Sequence, residues 1–173
     1  RLVLFGLESA NQSTLDRLEK GLKVADIADG AKAAAAAGLD VHVTVMFGYP
    51  WEGKDEIENT VKLARDLLRK GYAYTLQVTM MIPYPGTPLF RELRENGQLL
   101  SHDWDDYDMR TAVIKTPISE AEIKDAIRRV YRAFLLPETI VRRLLSTRDP
   151  IGDLAFYWRG FRSLLGHLRD FKK

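Results

Sequence analysis

The sequence predicts an α/β fold: three parallel strands with flanking helices, a partial (β/α) barrel fragment, followed by a helical C-terminal extension. Stretches of strand period alternate with stretches of helix period along the chain. Each strand runs into a helix through a short polar or proline-bearing turn. The second and third strands also carry a polar face, whereas a parallel strand covered by helices on both sides is apolar throughout. The centre of the pattern is His42–Gly53, H-V-T-V-M-F-G-Y-P-W-E-G. Val41, Val43, Val45 and Phe47 make one face of that strand, and His42, Thr44 and Met46 the other. A polar lumen accounts for the second face; an edge strand with one wet face is the alternative. Open α/β sheets and barrels place their ligands at strand ends of this kind.

Arg1–Leu7 is apolar and β-branched enough for the first strand, and Gly6 suits a close backbone approach. A polar turn, Glu8-Ser9-Ala10-Asn11, leads to a short helix over Ser13–Lys20. Ser13 and Asp16 have the spacing of a capping box, and Gly21 suits the position just past the helix end. A second helix covers Val24–Ala37, with Ile27, Ala31, Ala34 and Ala35 in one stripe and Gly38 as its stop. After the strand His42–Phe47, the residues Ile57, Val61, Ala64 and Leu68 recur at helical spacing up to Gly71, behind acidic Asp55, Glu56 and Glu58. Tyr74–Ile82 is the third strand, with Leu76, Val78, Met80 and Ile82 alternating with Thr75, Gln77 and Thr79.

Pro83-Tyr84-Pro85-Gly86 then forms a fixed exit, and Thr87-Pro88 reads as N-cap and first residue of a helix over Leu89–Asn96. Ser101–Thr116 is acidic and aromatic, and reads as a connecting loop folded over the domain. It does not fit a calcium loop, because Asp108 stands where the glycine is required. Ser119 and Glu122 make a capping box for a helix carrying Ile123, Ile127, Val130, Tyr131 and Phe134. A further helix spans about Glu138–Ser146. The last, Asp153–Arg169, sets Leu154, Tyr157, Phe161, Leu164, Leu165 and Leu168 opposite Arg159, Arg162 and Arg169. A basic amphipathic helix lies on a membrane, on a partner or on its own protein, and packing on its own protein is the expectation here.

With 173 residues and 46% hydrophobic content, the chain is long enough for one domain with a real core. Lys+Arg 26 against Asp+Glu 24 leaves no long-range field that would argue for nucleic acid. The opening apolar run is too short for a secretory signal, and no stretch could span a bilayer. A cytoplasmic location is therefore the expectation. The sequence has no cysteine, which excludes disulfides, thiolate ligands and cysteine nucleophiles within these residues. It starts without methionine, directly inside a strand, as a fragment of a longer protein would. The first strand, residues 1–7, then has an exposed edge through which the fragment is expected to self-associate.

No stretch by itself names a reaction. There is no Ser-His-Asp order, no phosphate-cradling G-x-x-x-x-G-K and no paired metal ligands; His42, His102 and His167 are scattered. Three stretches are distinctive as an ordered set. They are Gly6-Leu7-Glu8-Ser9 followed by Leu15, Leu18, Lys20 and Gly21; Val45-Met46-Phe47-Gly48-Tyr49-Pro50 followed by Glu52; and Pro83-Tyr84-Pro85-Gly86-Thr87-Pro88-Leu89. Together they resemble the second half of a radical S-adenosylmethionine (radical SAM) domain. The closest likeness is to the group with a cobalamin-binding domain, which includes oxygen-independent magnesium-protoporphyrin monomethyl ester cyclases and hopanoid-pathway enzymes. The resemblance covers residues 1–96 well and the helical tail loosely.

The resemblance implies a partial barrel of six parallel strands, of which the three here are the fourth to sixth. Residues 1–100 would be the second half of that barrel, 101–118 a connection and 119–173 a helical extension. It also implies S-adenosylmethionine as cofactor, a four-iron, four-sulfur cluster held by a C-x-x-x-C-x-x-C loop, and cobalamin in the full-length protein. That loop is absent from this sequence, so the fragment alone is expected to be inactive, although its parent is an enzyme. The implied reaction is radical chemistry on a small-molecule substrate (methyl transfer, cyclisation or another rearrangement). By position, Glu8 would accept from the ribose or the methionine ammonium, and Ser9 would add a hydroxyl. Lys20 would meet the methionine carboxylate; it equally suits a helix end, where its charge complements the dipole. Thr44 stands where some relatives hold an acidic ribose ligand, and offers only one weaker hydrogen bond. Met46, Phe47 and Gly48 would pass the adenine, with Met46 or Phe47 giving apolar contact.

Other readings stay open. A different βα-barrel enzyme with a phosphate site in the last loop is disfavoured by Pro83 and Pro85, which remove backbone donors. A non-catalytic interaction domain describes how a fragment would behave. A methylthiotransferase-type radical SAM enzyme would carry an RNA-binding module and a more basic tail.

Overall fold

The computed structural model describes residues 1–146 and, beyond them, only 158, 160, 162 and 166. The rest of the basic helix expected over 153–169 lies outside the described residues, as does His167. The chain forms β1 (Leu2–Glu8), α1 (Gln12–Arg17), α2 (Val24–Ala36), β2 (Asp40–Phe47), α3 (Lys54–Lys70), β3 (Thr75–Met80), α4 (Pro88–Glu95), α5 (Glu120–Arg132) and α6 (Pro137–Ser146). The three strands make one parallel sheet in the order β1-β2-β3. This is the expected α/β architecture with helical connections between parallel neighbours.

Two faces of the sheet have different fates. Leu7, Val41, Val43, Val45, Phe47, Leu76, Val78 and Met80 join the main core with Ile27 and Ala31 of α2, Val61 and Ala64 of α3, and Ile123 and Ile127 of α5. Registers pair Leu4 with His42 and Thr75, and Gly6 with Thr44 and Gln77. These residues therefore share the opposite face, together with Met46 and Thr79. Leu2 and Leu4 on that face remain 65% and 69% exposed. Among the described residues, no helix of the main core lies over it.

Sequence signals account for most element ends. Thr87 Oγ1 accepts from Phe90 N at the start of α4, with Pro88 next. Ser119 and Glu122 form the expected capping box of α5. Lys54 and the Ser119 backbone and hydroxyl hold the Glu122 carboxyl down at about 2, so the Lys54–Glu122 pair at 2.8 Å keeps both charges at neutral pH. Gly71 ends α3 in the left-handed region, φ 74°.

Other ends differ from expectation. α1 starts one residue after Asn11, and neither Ser13 nor Asp16 caps it. Its end is a Schellman-type turn in which Lys20 N donates to Leu15 O and Glu19, φ 53°, takes the position just past the helix; Gly21 is also left-handed, φ 63°, but lies two residues further on. The segment after α4 is also more than a loop. Leu99 bridges Ile114 in antiparallel fashion, and Val113 and Ile114 are buried in a second apolar cluster with Tyr49, Met81, Ile82 and Leu93. α5 packs into the main core of the sheet through Ile123, Ile127 and Val130.

The outer edges of the sheet are unlike. On β3, the Tyr131 hydroxyl accepts from Val78 N at 3.1 Å, and Met109 O accepts from Met80 N at 3.0 Å. Those contacts occupy positions that a fourth strand would need. Among the described residues nothing pairs with the outer edge of β1.

Candidate functional site

β1 ends on an unusual turn. Its register with β2 slips between Gly6 and Glu8, a bulge that sets two residues of β1 against one of β2. Ser9 N then donates to Leu7 O at 2.7 Å, closing a three-residue γ-turn around Glu8. Glu8 has φ 59°, in the left-handed region where a residue with a Cβ is strained by about 1–2 kcal/mol. The turn folds the Glu8 side chain back over Gly6: a methyl group placed on Gly6 would lie 2.6 Å from Glu8 Oε1. The carboxylate thus fills the space that a side chain at this position would take, and a larger residue at Gly6 would push it aside. Gly6 pairs with Thr44, so this carboxylate lies on the open face of the sheet.

Lys20 Nζ reaches Glu8 Oε1 at 3.0 Å, with the lysine side chain 34% exposed and the glutamate 14%. Glu8 Oε2 is buried and has no hydrogen-bond partner among the described residues. One carboxylate oxygen is thus neutralised from within the protein and the other stays available as an acceptor. Along the same face follow Thr44 and Met46, both half-buried, with Gln77 and Thr79 beside them on β3. Deeper in the sheet, His42 Nδ1 and Thr75 Oγ1 are 2.7 Å apart and satisfy each other. Met46 also packs against the second cluster, beyond the strand ends.

The structure therefore brings Glu8, Lys20, Thr44 and Met46 together. It does not bring Ser9, Phe47 or Gly48 to the same surface. Ser9 is fully buried, and its hydroxyl donates to Glu52 Oε1 at 2.6 Å. Phe47 is fully buried in the helix-covered core, and its carbonyl accepts from Met81 N. Of the two apolar side chains Met46 and Phe47, Met46 is the one on the open face. Gly48 is buried with φ 93°, and Ile123 Cδ1 lies 3.2 Å from where its Cβ would be, so it serves the turn and the packing of α5.

Two residues near the site were quoted in sequence motifs without a role. Glu52 is 1% exposed and ties three polar side chains together beneath Glu8. Tyr49 is buried, and burial first, then the charges of Glu8 and Glu52, push its phenol well above the ordinary value. It stays neutral at any physiological pH. A polar glutamate inside an apolar turn, G-Y-P-W-E-G, was the signal for Glu52. The concavity bounded by Ala10, Asn59, Lys62, Arg65, Arg69 and Leu136 lies instead along α3, on the helix-covered side of the sheet. Among the described residues there is no cluster of three or more metal-ligating side chains and no helix long and apolar enough to cross a membrane.

The left-handed backbone at Glu8 gives a test that needs no ligand. Glu8→Gly is expected to be more stable than Glu8→Ala by about 1 kcal/mol, since only glycine takes this φ without strain. Urea unfolding of the two variants measures it. An alanine variant as stable as the glycine variant would mean that the residue does not adopt this conformation.

Comparison with protein-family models gives no match. Comparison with curated proteins gives three significant relatives. An uncharacterized methyltransferase of Pyrococcus horikoshii is 32% identical over 146 residues, 83% of this chain and 31% of the relative. The bacteriochlorophyllide d C-8(2)-methyltransferase of Chlorobaculum tepidum is 30% identical over 119 residues, 66% of this chain and 25% of its own length. The anaerobic magnesium-protoporphyrin IX monomethyl ester cyclase of Cereibacter sphaeroides is 26% identical over 176 aligned residues, 99% of this chain and 26% of the cyclase. The chain spans between a quarter and a third of the length of these relatives. It is related in sequence to enzymes, two methyltransferases and a cyclase.

Proposed function

We propose that this chain forms the second half of a radical SAM domain, and that the open face of its sheet holds part of S-adenosylmethionine. The observation that carries the proposal is the Glu8 carboxylate. It is folded onto the open face at a strand end, paired with Lys20 on one oxygen and unpartnered on the other. A buried, unpartnered acceptor is costly, and a ribose hydroxyl or a methionine ammonium would satisfy it. Lys20, 34% exposed, retains donors for a carboxylate. Thr44 and Met46 then offer a hydroxyl and an apolar surface, the two needs of a nucleoside. Relatives named as methyltransferases and a cyclase support the reading.

The chain's residues would bind and orient the cofactor. Bound S-adenosylmethionine supplies a methyl group or, after one-electron reduction, carbon-radical chemistry. With no cysteine in the sequence, these residues offer no thiolate to an iron–sulfur cluster. The cluster and any cobalamin would be held by other parts of a longer protein. The unpaired β1 edge is where the remaining strands would join, because the β3 edge is occupied by Tyr131 and Met109.

The full-length protein is expected to bind S-adenosylmethionine, with Glu8→Gln and Lys20→Ala each weakening it about tenfold, the loss of one charge-assisted hydrogen bond. Isothermal titration calorimetry measures this. Unchanged affinity in Glu8→Gln would remove the carboxylate from the site. The 173-residue chain by itself is expected to self-associate through β1. A monomer at every concentration of a sedimentation dilution series would contradict that.

A further inference from the structure

Beneath Glu8 lies a polar group that the contacts proposed above do not use. Glu52 is 1% exposed, and no lysine or arginine among the described residues pairs with it. Its Oε1 accepts from Ser9 Oγ and Thr14 Oγ1, both at 2.6 Å, and from Asn11 Nδ2 at 3.3 Å. Its Oε2 has no partner. Asn11 extends the knot to Glu56 O at 2.8 Å, and Thr60 Oγ1 accepts from Ala10 N at 3.0 Å. The β1–α1 turn is thus bound through Glu52 and the first turns of α3 to the segment that follows β2.

As a stability device this arrangement is poor. A carboxylate buried without a cation costs more than its hydrogen bonds return, and an apolar side chain of similar size would serve better. Its geometry has another consequence. Ser9 is the residue that closes the γ-turn by donating to Leu7 O, and the Ser9 hydroxyl is held by Glu52. Strained backbone persists only where its surroundings over-determine it. Here the surroundings converge on Glu52.

We propose that Glu52 is a positioning residue. It anchors Ser9, keeps Glu8 in the left-handed turn and so presents the Glu8 carboxylate on the open face. The identity of the ligand rests on the S-adenosylmethionine reading, while the action of Glu52 on the turn does not. Glu52→Gln keeps the volume and an acceptor oxygen, and reduces charge-assisted hydrogen bonds to neutral ones.

Two measurements on the full-length protein test the proposal. In a double-mutant cycle, Glu52→Gln is expected to weaken S-adenosylmethionine binding about fivefold when Glu8 is present, and less than about twofold in a Glu8→Gln background. Equal losses in both backgrounds, or no loss in the first, would overturn it. Without ligand, the Ser9 amide is expected to exchange with deuterium about tenfold faster in Glu52→Gln, with the Val45 amide unchanged. Unaltered Ser9 protection would also overturn it. If the unmutated protein binds no S-adenosylmethionine, the cofactor reading fails, and the exchange result alone decides the role of Glu52.

Discussion

The structure depends on one constraint: three parallel strands are covered by helices on a single face. The crossover helix α3 and the later helix α5 pack on the side of Val43, Val45 and Val78, together with α2. A parallel sheet normally has both faces buried. Leaving Leu2 and Leu4 at 65% and 69% exposure forgoes roughly 1–2 kcal/mol of burial at each. The same face carries Thr44, Gln77 and Thr79, which would be costly to bury under apolar helices without partners. A face with this mixture suits a lumen that is closed by further strands and holds a ligand with both polar and apolar parts.

The carboxyl ends of the strands show how the protein spends conformational strain. β1 ends at Glu8 with φ 59°, and β2 ends at Gly48 with φ 93°. The second is a glycine and costs little. The first is a glutamate, held by hydrogen bonds that run through Ser9 to Glu52 in the next strand-end turn. Two turns far apart in sequence are thereby made into one unit, and Lys20, 34% exposed, pairs with the carboxylate from the rim.

Much of the fold was legible because its signals are local. Alternation in Val41–Phe47 gave both faces of β2 correctly, and the pairs Thr87-Pro88 and Ser119-Glu122 marked the starts of α4 and α5. What the sequence hid was long-range. Ser9 looks like a free hydroxyl at a turn, yet Glu52, separated from it by 43 positions, takes it into the interior. Phe47 and Met46 are equal candidates by composition, and only the helix-covered side decides between them. Gly21 is left-handed as a helix stop would be, but the hydrogen bond from Lys20 to Leu15 ends the helix two residues earlier, with Glu19 also left-handed. Val113 and Ile114 sit in an acidic, aromatic stretch and are buried through pairing with residues 98–100, which local composition does not show.

The central claim is that ligand and core occupy opposite faces of the same strands. Methyl-labelled full-length protein tests it most directly, through nuclear magnetic resonance during titration with S-adenosylmethionine. The Met46 methyl should shift, while the methyls of Val45 and Val78 on the covered face should stay in place. Shifts confined to Leu63 and Leu136, at the groove along α3, would contradict the account.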